Sequence, residues 1–294
     1  MSHSRTPLNF IHCDVFAASR YSGNSLAVFT GCAGLSAAQM LTITQEMRHF
    51  ESIFLSEENG QISARVFDLF EELPFAGHPI IGAACTLHRE LAYREQGAED
   101  KREWTFRLQG GRAVSVSTEH RDGRFIGRLD QGRPEMIRTV DAQERAGIAR
   151  AFNLDRLAEF PLEVISTGLK YLVVPAAGGL QQARITIPDL EQTLHRLGAG
   201  FAYLVDVDTF EGRHWNNDGI MEDVATGSAA GVVGAYAVKH GLAEPGRSFC
   251  LKQGHFMGRP SEIIVTAFGR PDDVEKVTVA GEVAYVGRGE VIAP

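Results

Sequence analysis

The stretch Glu-Leu-Pro-Phe-Ala-Gly-His at residues 72–78 is echoed by Glu-Asp-Val-Ala-Thr-Gly-Ser at residues 222–228. Both stretches begin with glutamate and carry glycine at the sixth position, and they lie 150 residues apart in a chain of 294 residues. The two copies therefore occupy matching places in the two halves of the chain. We predict two lobes that are built on one plan.

Each stretch leads into a segment that is apolar or small on every side. The first segment reads HPIIGAACTLHREL from His78, and the second reads SAAGVVGAYAVKHG from Ser228. Helices of this composition are buried, and their first N–H groups and positive dipole ends need acceptors. If a pseudo-twofold axis relates the halves, both helix starts face one cleft that suits a small anion such as a carboxylate. The alternative is that both turns are capped internally and that the repeat is only architectural.

The remaining pattern predicts an α+β chain in which short strands, mostly joined as hairpins, are mixed with few helices. One helix is expected over about 36–48, where Ser36 and Gln39 form a capping box, and others over 141–153 and 188–197. The charged run over 89–102 is expected to be a solvated loop or a frayed helix end.

A domain boundary is expected near Gly132 and Pro134, where strong apolar signals are few. We predict an N-terminal lobe of residues 1–133, joined by a returning C-terminal strand at about 285–294. The C-terminal lobe then comprises residues 134–284.

The composition argues against two classes of partner, which leaves the small anionic substrate suggested by the two helix starts. A formal net charge of -8 and a pI near 5.7 argue against nucleic acid or an anionic membrane surface. The N-terminus lacks the pattern of a signal peptide, and no apolar run approaches the ~18 residues of a membrane span. We therefore expect a cytoplasmic protein.

Cysteine and histidine spacing argues against a metal site. The four cysteines form no CxxC pair, and the ten histidines show neither HxH nor HExxH spacing. The chain also contains neither a phosphate-binding loop nor a glycine-rich dinucleotide motif. We predict no metal.

Six blocks in order resemble the phenazine-biosynthesis isomerase family over nearly the whole chain. They are YSGNSLAVF (21–29), ELPFAGHPIIGAA (72–84), STGLKYLVVPA (166–176), GRHW (212–215), EDVATGSAAG (222–231) and QGHFMGRPS (253–261). The resemblance implies a diaminopimelate epimerase-like fold, in which two pseudo-symmetric lobes each wrap a mostly antiparallel, barrel-like sheet around a central buried helix. It also implies an active site between the lobes, no cofactor, a homodimer, and isomerisation of trans-2,3-dihydro-3-hydroxyanthranilate or a similar small amino acid.

The resemblance also implies residue roles. Glu51 matches the acid/base glutamate of the family, and His78 and Asp223 match further catalytic positions. The substrate-binding residues implied by the two glycine motifs are Gly77, Thr226, Gly227 and Ser228. The chain departs from the family in a shortened segment over 214–222, at Val224, and over 65–70, where Arg-Val-Phe-Asp-Leu-Phe replaces a Phe-Thr-Pro type sequence. The first and last of these departures lie beside the cleft motifs and bear on the choice of substrate.

The residues alone leave other interpretations open. On a strand, Glu51 would share a face with Ile53 and Leu55 and be partly desolvated, which favours its protonated form and suits a general acid/base. The alternative is a strand-end glutamate that faces water. His78 could instead cap its own helix, and Asp223 could only balance a helix dipole.

Residue type distinguishes this chain from the related cysteine-dependent racemases. Those enzymes place thiols at the two glycine turns, where this chain has Ala76 and either Ala225 or Thr226. A single carboxylate that removes and returns a proton on one face of the substrate fits these residues. An epimerase or lyase of another small carboxylate, or a non-enzymatic binding protein, are the alternatives.

Overall fold

The computed structural model describes residues 7–95 and 99–294. Residues 1–6, on which the expectation of no signal peptide partly rests, and residues 96–98 lie outside the described residues. Across the described ranges, no helix combines the length and the apolar character that crossing a bilayer requires.

Five α-helices, three short 3₁₀ helices and 17 strands make up the regular structure of the described residues. The strands are β1 Pro7–Val15, β2 Asn24–Phe29, β3 Glu51–Glu58, β4 Gln61–Phe67, β5 Glu72–Leu73, β6 Lys101–Arg107, β7 Ala113–Arg121, β8 Arg124–Gly132, β9 Glu135–Thr139, β10 Glu163–Ser166, β11 Lys170–Ala176, β12 Phe201–Asp206, β13 Glu211–Trp215, β14 Glu222–Asp223, β15 Phe249–Gln253, β16 Ser261–Arg270 and β17 Asp273–Ile292. The helices are α1 Ala37–Met47, α2 Gly77–Arg94, α3 Ala142–Ala151, α4 Leu190–Leu197 and α5 Gly227–Lys239.

The first unit contains the described residues up to Leu129 together with Ala280–Pro294. Its strands pair in the order β1, β2, β3, β4, β6, β7, β8 and β17, and β17 pairs again with β1, so eight strands close into a barrel. The pairs β2–β3 and β4–β6 are parallel. Helix α2 packs against β1, β2, β3, β6 and β7 from inside, and all of its residues from Gly77 to Thr86 are buried.

The second unit comprises Asp130–Val279. Its strands pair in the order β9, β10, β11, β12, β13, β15 and then β16. Helix α5 packs on β10, β11 and β16 and is buried from Ala229 to Val238. A separate apolar core, which includes Phe152, Leu194 and Trp215, covers the other face of this sheet.

Both units repeat one sequence of elements, as the two glycine motifs predict. The run β2, α1, β3, β4, β5, α2, β6, β7 has its counterpart in β11, α4, β12, β13, β14, α5, β15, β16. Parallel and antiparallel pairings recur at the same places, including the parallel pairs β2–β3 and β11–β12. The predicted α+β fold with a barrel around a buried central helix is confirmed.

The predicted local elements are mostly found. Helix α1 begins after the Ser36 N-cap, and the capping box with Gln39 is formed in both directions. The expectation of a loop or frayed helix end over 89–102 is wrong at both ends, because α2 continues to Arg94 and β6 begins at Lys101. Helix α2 is held there by the Arg89 guanidinium, which lies 4.6 Å from the Tyr93 ring centroid and 3.2 Å from that of Tyr285.

Candidate active site

Glu51 and His78 meet in the first unit. Glu51 opens β3 and pairs in parallel register with Leu26, whose side chain lies against Gly82 of α2. Because parallel partners share a face, the Glu51 carboxylate points toward α2. Its Oε2 lies 3.5 Å from Nδ1 of His78, and the two side chains are 20% and 7% exposed. The predicted acid/base glutamate therefore lies largely buried beside the predicted histidine, and the interpretation of a solvated strand-end residue is wrong.

Neither glycine-led helix is capped by its own N-cap side chain. Ala76 precedes α2 and offers no side-chain acceptor. Thr226 precedes α5, but its hydroxyl donates to Asp223 Oδ2 at 2.7 Å instead of accepting from the helix. The first backbone N–H groups of each helix are thus left for other acceptors, which is the condition for binding an anion.

Ser228 and Asp223 lie at the start of α5 in the second unit. The Ser228 hydroxyl lies 2.8 Å from the Tyr171 hydroxyl. Asp223 accepts from the Thr226 hydroxyl, and the backbone N–H of Ala225 approaches Asp223 Oδ1 at 3.4 Å. Ser228 is the counterpart of His78, since each is the second residue of its helix.

A buried glutamine organises this turn, and the sequence pattern alone did not identify it. Gln253 Nε2 donates to the Asp223 carbonyl at 2.7 Å and to Thr226 Oγ1 at 2.9 Å. Its Oε1 accepts from the backbone N–H of Thr226 at 3.0 Å and from the Tyr203 hydroxyl at 2.9 Å. The signal was present, because Gln253 opens the last of the six blocks.

A second glutamine holds the first turn of α5 from the other side. Gln131 Nε2 donates to the Gly227 carbonyl at 2.8 Å, and its Oε1 accepts from the Thr167 hydroxyl at 3.1 Å. A methyl group on Gly231 would overlap Gln131 Oε1, so a larger residue there would displace this amide from its hydrogen bonds. The turn that carries Gly227 and Ser228 is therefore fixed by buried amides.

His214 is another residue that sequence reasoning did not single out. It is the cross-strand partner of Asp223, and its Nδ1 lies 2.8 Å from the Ala202 carbonyl oxygen. Burial lowers the pKa of His214 below its ordinary value, and this effect outweighs the negative charge of Asp223, which raises the pKa. The ring is therefore neutral near neutral pH.

The glutamate that opens each motif forms an ion pair. Arg65 binds Glu72 through Nε–Oε1 at 2.8 Å and Nη2–Oε2 at 2.5 Å. Arg213 binds Glu222 in the same bidentate way. These ion pairs have a structural role, and they explain why both motifs begin with glutamate.

No group of three or more His, Cys, Asp or Glu side chains is arranged to hold a metal ion within residues 7–95 and 99–294. Neither N-cap position carries a thiol, since Ala76 and Thr226 stand there. A racemisation that uses two thiols at these turns is excluded by residue type.

Comparison with known proteins gives matches over nearly the whole chain. The model of the family described as phenazine biosynthesis-like protein matches residues 13–289. A trans-2,3-dihydro-3-hydroxyanthranilate isomerase of Pseudomonas aeruginosa is 31% identical over 95% of this chain and 98% of that protein. The structure of a predicted epimerase from the same organism is 42% identical, with a TM-score of 0.87 over 99% of this chain and 100% of that one. A phenazine biosynthesis protein from Bacillus anthracis, 21% identical, has the same fold, with a TM-score of 0.83 over 97% and 99% of the two chains.

Proposed function

Because this chain belongs to the phenazine biosynthesis-like family and is an isomerase, we propose that it shifts a proton within a small amino-acid-like carboxylate, with Glu51 as the general acid and base. No cofactor takes part in the proposed reaction. The first substrate to test is trans-2,3-dihydro-3-hydroxyanthranilate, on which the relative from Pseudomonas aeruginosa is named to act.

The proposed step balances without an external reagent. The Glu51 carboxylate removes a proton from one carbon of the substrate, and the electron pair of the broken C–H bond moves into an allylic π system. The resulting carboxylic acid returns the proton to another carbon on the same face. Nothing is oxidised or reduced, so one carboxylate that is protonated and deprotonated in turn is sufficient.

The single observation that carries the proposal is the position of Glu51 beside His78. A carboxylate with one-fifth of its side chain exposed is shielded from water yet open to a ligand. His78 stands 3.5 Å away and is suited to hydrogen-bond the substrate or to relay a proton.

The second unit supports the binding roles. The first N–H groups of α5 and the Ser228 hydroxyl are suited to a substrate carboxylate, because a helix N-terminus favours negative charge. Gly77 and Gly227 allow the backbone at each turn to approach a ligand closely. Asp223, held by Thr226 and Gln253, is suited to accept from a substrate amine or hydroxyl.

Deuterium incorporation tests the role of Glu51. The protonated Glu51, with one-fifth of its side chain exposed, exchanges its proton with D₂O before delivering it, so the wild-type product should gain deuterium at one carbon. Glu51→Gln should lose both turnover and exchange by more than about 100-fold. Glu57→Gln is the matched control, since Glu57 lies exposed on the same strand. Turnover that persists in a folded Glu51→Gln protein would rule the assignment out.

Epimerisation is a second candidate, favoured by the likeness to the predicted epimerase. Against it stands the counterpart of Glu51 in the second unit, which is Phe201, the first residue of β12. A second base of that kind is therefore missing from the matching position. Chiral analysis of amino acids after incubation, beside an assay of double-bond migration, distinguishes the two reactions.

The family resemblance also supports a cytoplasmic homodimer. Light scattering coupled to size-exclusion chromatography measures the assembly directly. A mass near 64 kDa is expected for two chains of 32.1 kDa each.

A further inference from the structure

His214 occupies a position that the repeated fold does not require to be polar. His214 on β13 and Asp223 on β14 are cross-strand partners. The counterpart pair in the first unit, on β4 and β5, consists of Val66 and Leu73. Because the first unit folds with two apolar side chains at this position, folding alone does not account for the imidazole and the carboxylate in the second unit.

The contacts of His214 decide which ring nitrogen carries the proton. Nδ1 lies 2.8 Å from the Ala202 carbonyl oxygen, which can only accept, so Nδ1 donates. In the neutral ring Nε2 then carries a lone pair. Among the residues that the structure describes, none donates a hydrogen bond to this Nε2.

Nearby aromatic rings hold the imidazole in place. The ring centroids of Tyr171, Phe201 and Tyr203 lie 5.6, 5.9 and 6.5 Å from that of His214. Residues directly opposite on antiparallel strands have Cβ atoms about 4.5–5.5 Å apart and share a face. The imidazole therefore lies on the same face as the Asp223 side chain, which is itself only half-buried.

Two neighbouring hydrogen-bond acceptors favour a ligand that carries a hydrogen-bond donor. We propose that His214 is a specificity-determining residue whose Nε2, beside Asp223, accepts a hydrogen bond from an amino or hydroxyl group of the substrate. The inference rests on the proposed function and extends it, because it names the feature that the substrate must carry. An analogue without the donor leaves both acceptors desolvated and binds more weakly.

Binding of two matched probes tests this. Anthranilate and benzoate differ by one amino group, and calorimetry gives the affinity of each. Wild-type protein should prefer anthranilate by about 5- to 10-fold, the worth of one hydrogen bond. His214→Asn, which retains the donation to Ala202 but lacks Nε2, should bind the two probes equally.

Two further variants complete the series. His214→Gln places an acceptor where Nε2 was and should restore part of the preference. His195→Asn, on the exposed side of α4, is the matched control and should behave as the wild type. An unchanged preference for anthranilate in His214→Asn, or no preference in the wild type, would overturn the proposal.

Probe affinity is measured without turnover, so the test of His214 does not depend on whether Glu51 is the general acid and base. If Glu51→Gln stays active, the isomerase assignment fails while the probe preference can still be measured. If His214→Asn does not fold, ¹⁵N NMR of the wild-type imidazole decides. A bare Nε2 that shifts with anthranilate and not with benzoate supports the proposal, and an Nε2 that already carries a proton in the free protein contradicts it.

Discussion

Arg213 holds Glu222 through two parallel hydrogen bonds, Nε–Oε1 at 2.8 Å and Nη2–Oε2 at 2.6 Å, with the two side chains only 9% and 7% exposed. The same guanidinium donates to the carbonyls of Leu180 and Ala183. The pair joins β13 to β14 directly before the turn that begins α5. It therefore positions the turn that carries the proposed binding residues.

Removing one partner of this pair should be costly. Arg213→Met leaves the Glu222 carboxylate and two carbonyl groups buried without their donor. We expect a loss of about 3–5 kcal/mol in the free energy of unfolding, measured by urea denaturation. In the control, Arg247→Met breaks the exposed pair with Glu244 and should cost less than about 1 kcal/mol. Equal losses in the two variants would contradict the structural role of Arg213.

The features that the sequence predicted are those with a local signature. The glycine at each helix start and the small, apolar helix that follows indicate a buried helix within a few residues. The repeated motif then located His78, and the match to the glutamate of the family located Glu51; the structure brings the two side chains to 3.5 Å. These signals do not depend on knowing how the strands pair.

The features that were missed depend on strand register. Arg65 and Arg213 precede Glu72 and Glu222 by different spacings, and only the pairings Phe67–Glu72 and Trp215–Glu222 make them equivalent. Gln253 reaches Asp223 from 30 residues away along the chain. Side chains that meet through long-range pairing leave no periodic pattern in the sequence.

Gly82→Ala tests how closely α2 fits its barrel. Alanine favours a helix over glycine by about 1 kcal/mol. A methyl group at Gly82, however, would overlap the side chains of Leu26 and Val15. Overpacking of this kind costs about 1–3 kcal/mol, so we expect net destabilisation.

The matched control for Gly82 lies in a surface helix. At Gly147 in α3, no neighbouring atom lies within 4 Å of the position that an alanine methyl group would occupy. Gly147→Ala should therefore stabilise the protein by about 0.5–1 kcal/mol. Urea midpoints that rise in both variants would contradict the close packing of α2 at Gly82.

The ion pairs of Glu163 predict part of the loss of folding stability at acidic pH. Its carboxylate accepts from Lys239 Nζ at 2.7 Å and pairs with His240 Nε2 at 3.0 Å. Burial opposes ionisation, but these two partners outweigh it and hold the pKa of Glu163 below its ordinary value of 4.5. The folded state therefore binds this proton more weakly than the unfolded chain does.

Because the pKa of Glu163 is lowered on folding, ionised Glu163 adds to the free energy of unfolding above pH 4.5. This contribution is lost as the pH falls through the folded-state pKa. Glu163→Gln should be less stable than the wild type near pH 7, and the difference should shrink as the pH falls below about 4.5. Free energies of unfolding measured by urea from pH 3 to 7 check this. Parallel curves for the two proteins would contradict it.

Alkylating reagents should neither modify the cysteines of the folded protein nor reduce its activity. Burial raises the pKa of Cys13 and of Cys32 to about 12, and it also raises the pKa of Cys85 and of Cys250. Because the thiolate is the reactive form, iodoacetamide near neutral pH should neither modify nor inactivate the folded protein. Mass spectrometry should show four adducts only after unfolding in guanidinium, one for each cysteine. Inactivation of the folded protein by a single adduct would place a thiol in the reaction and contradict a mechanism that relies on Glu51.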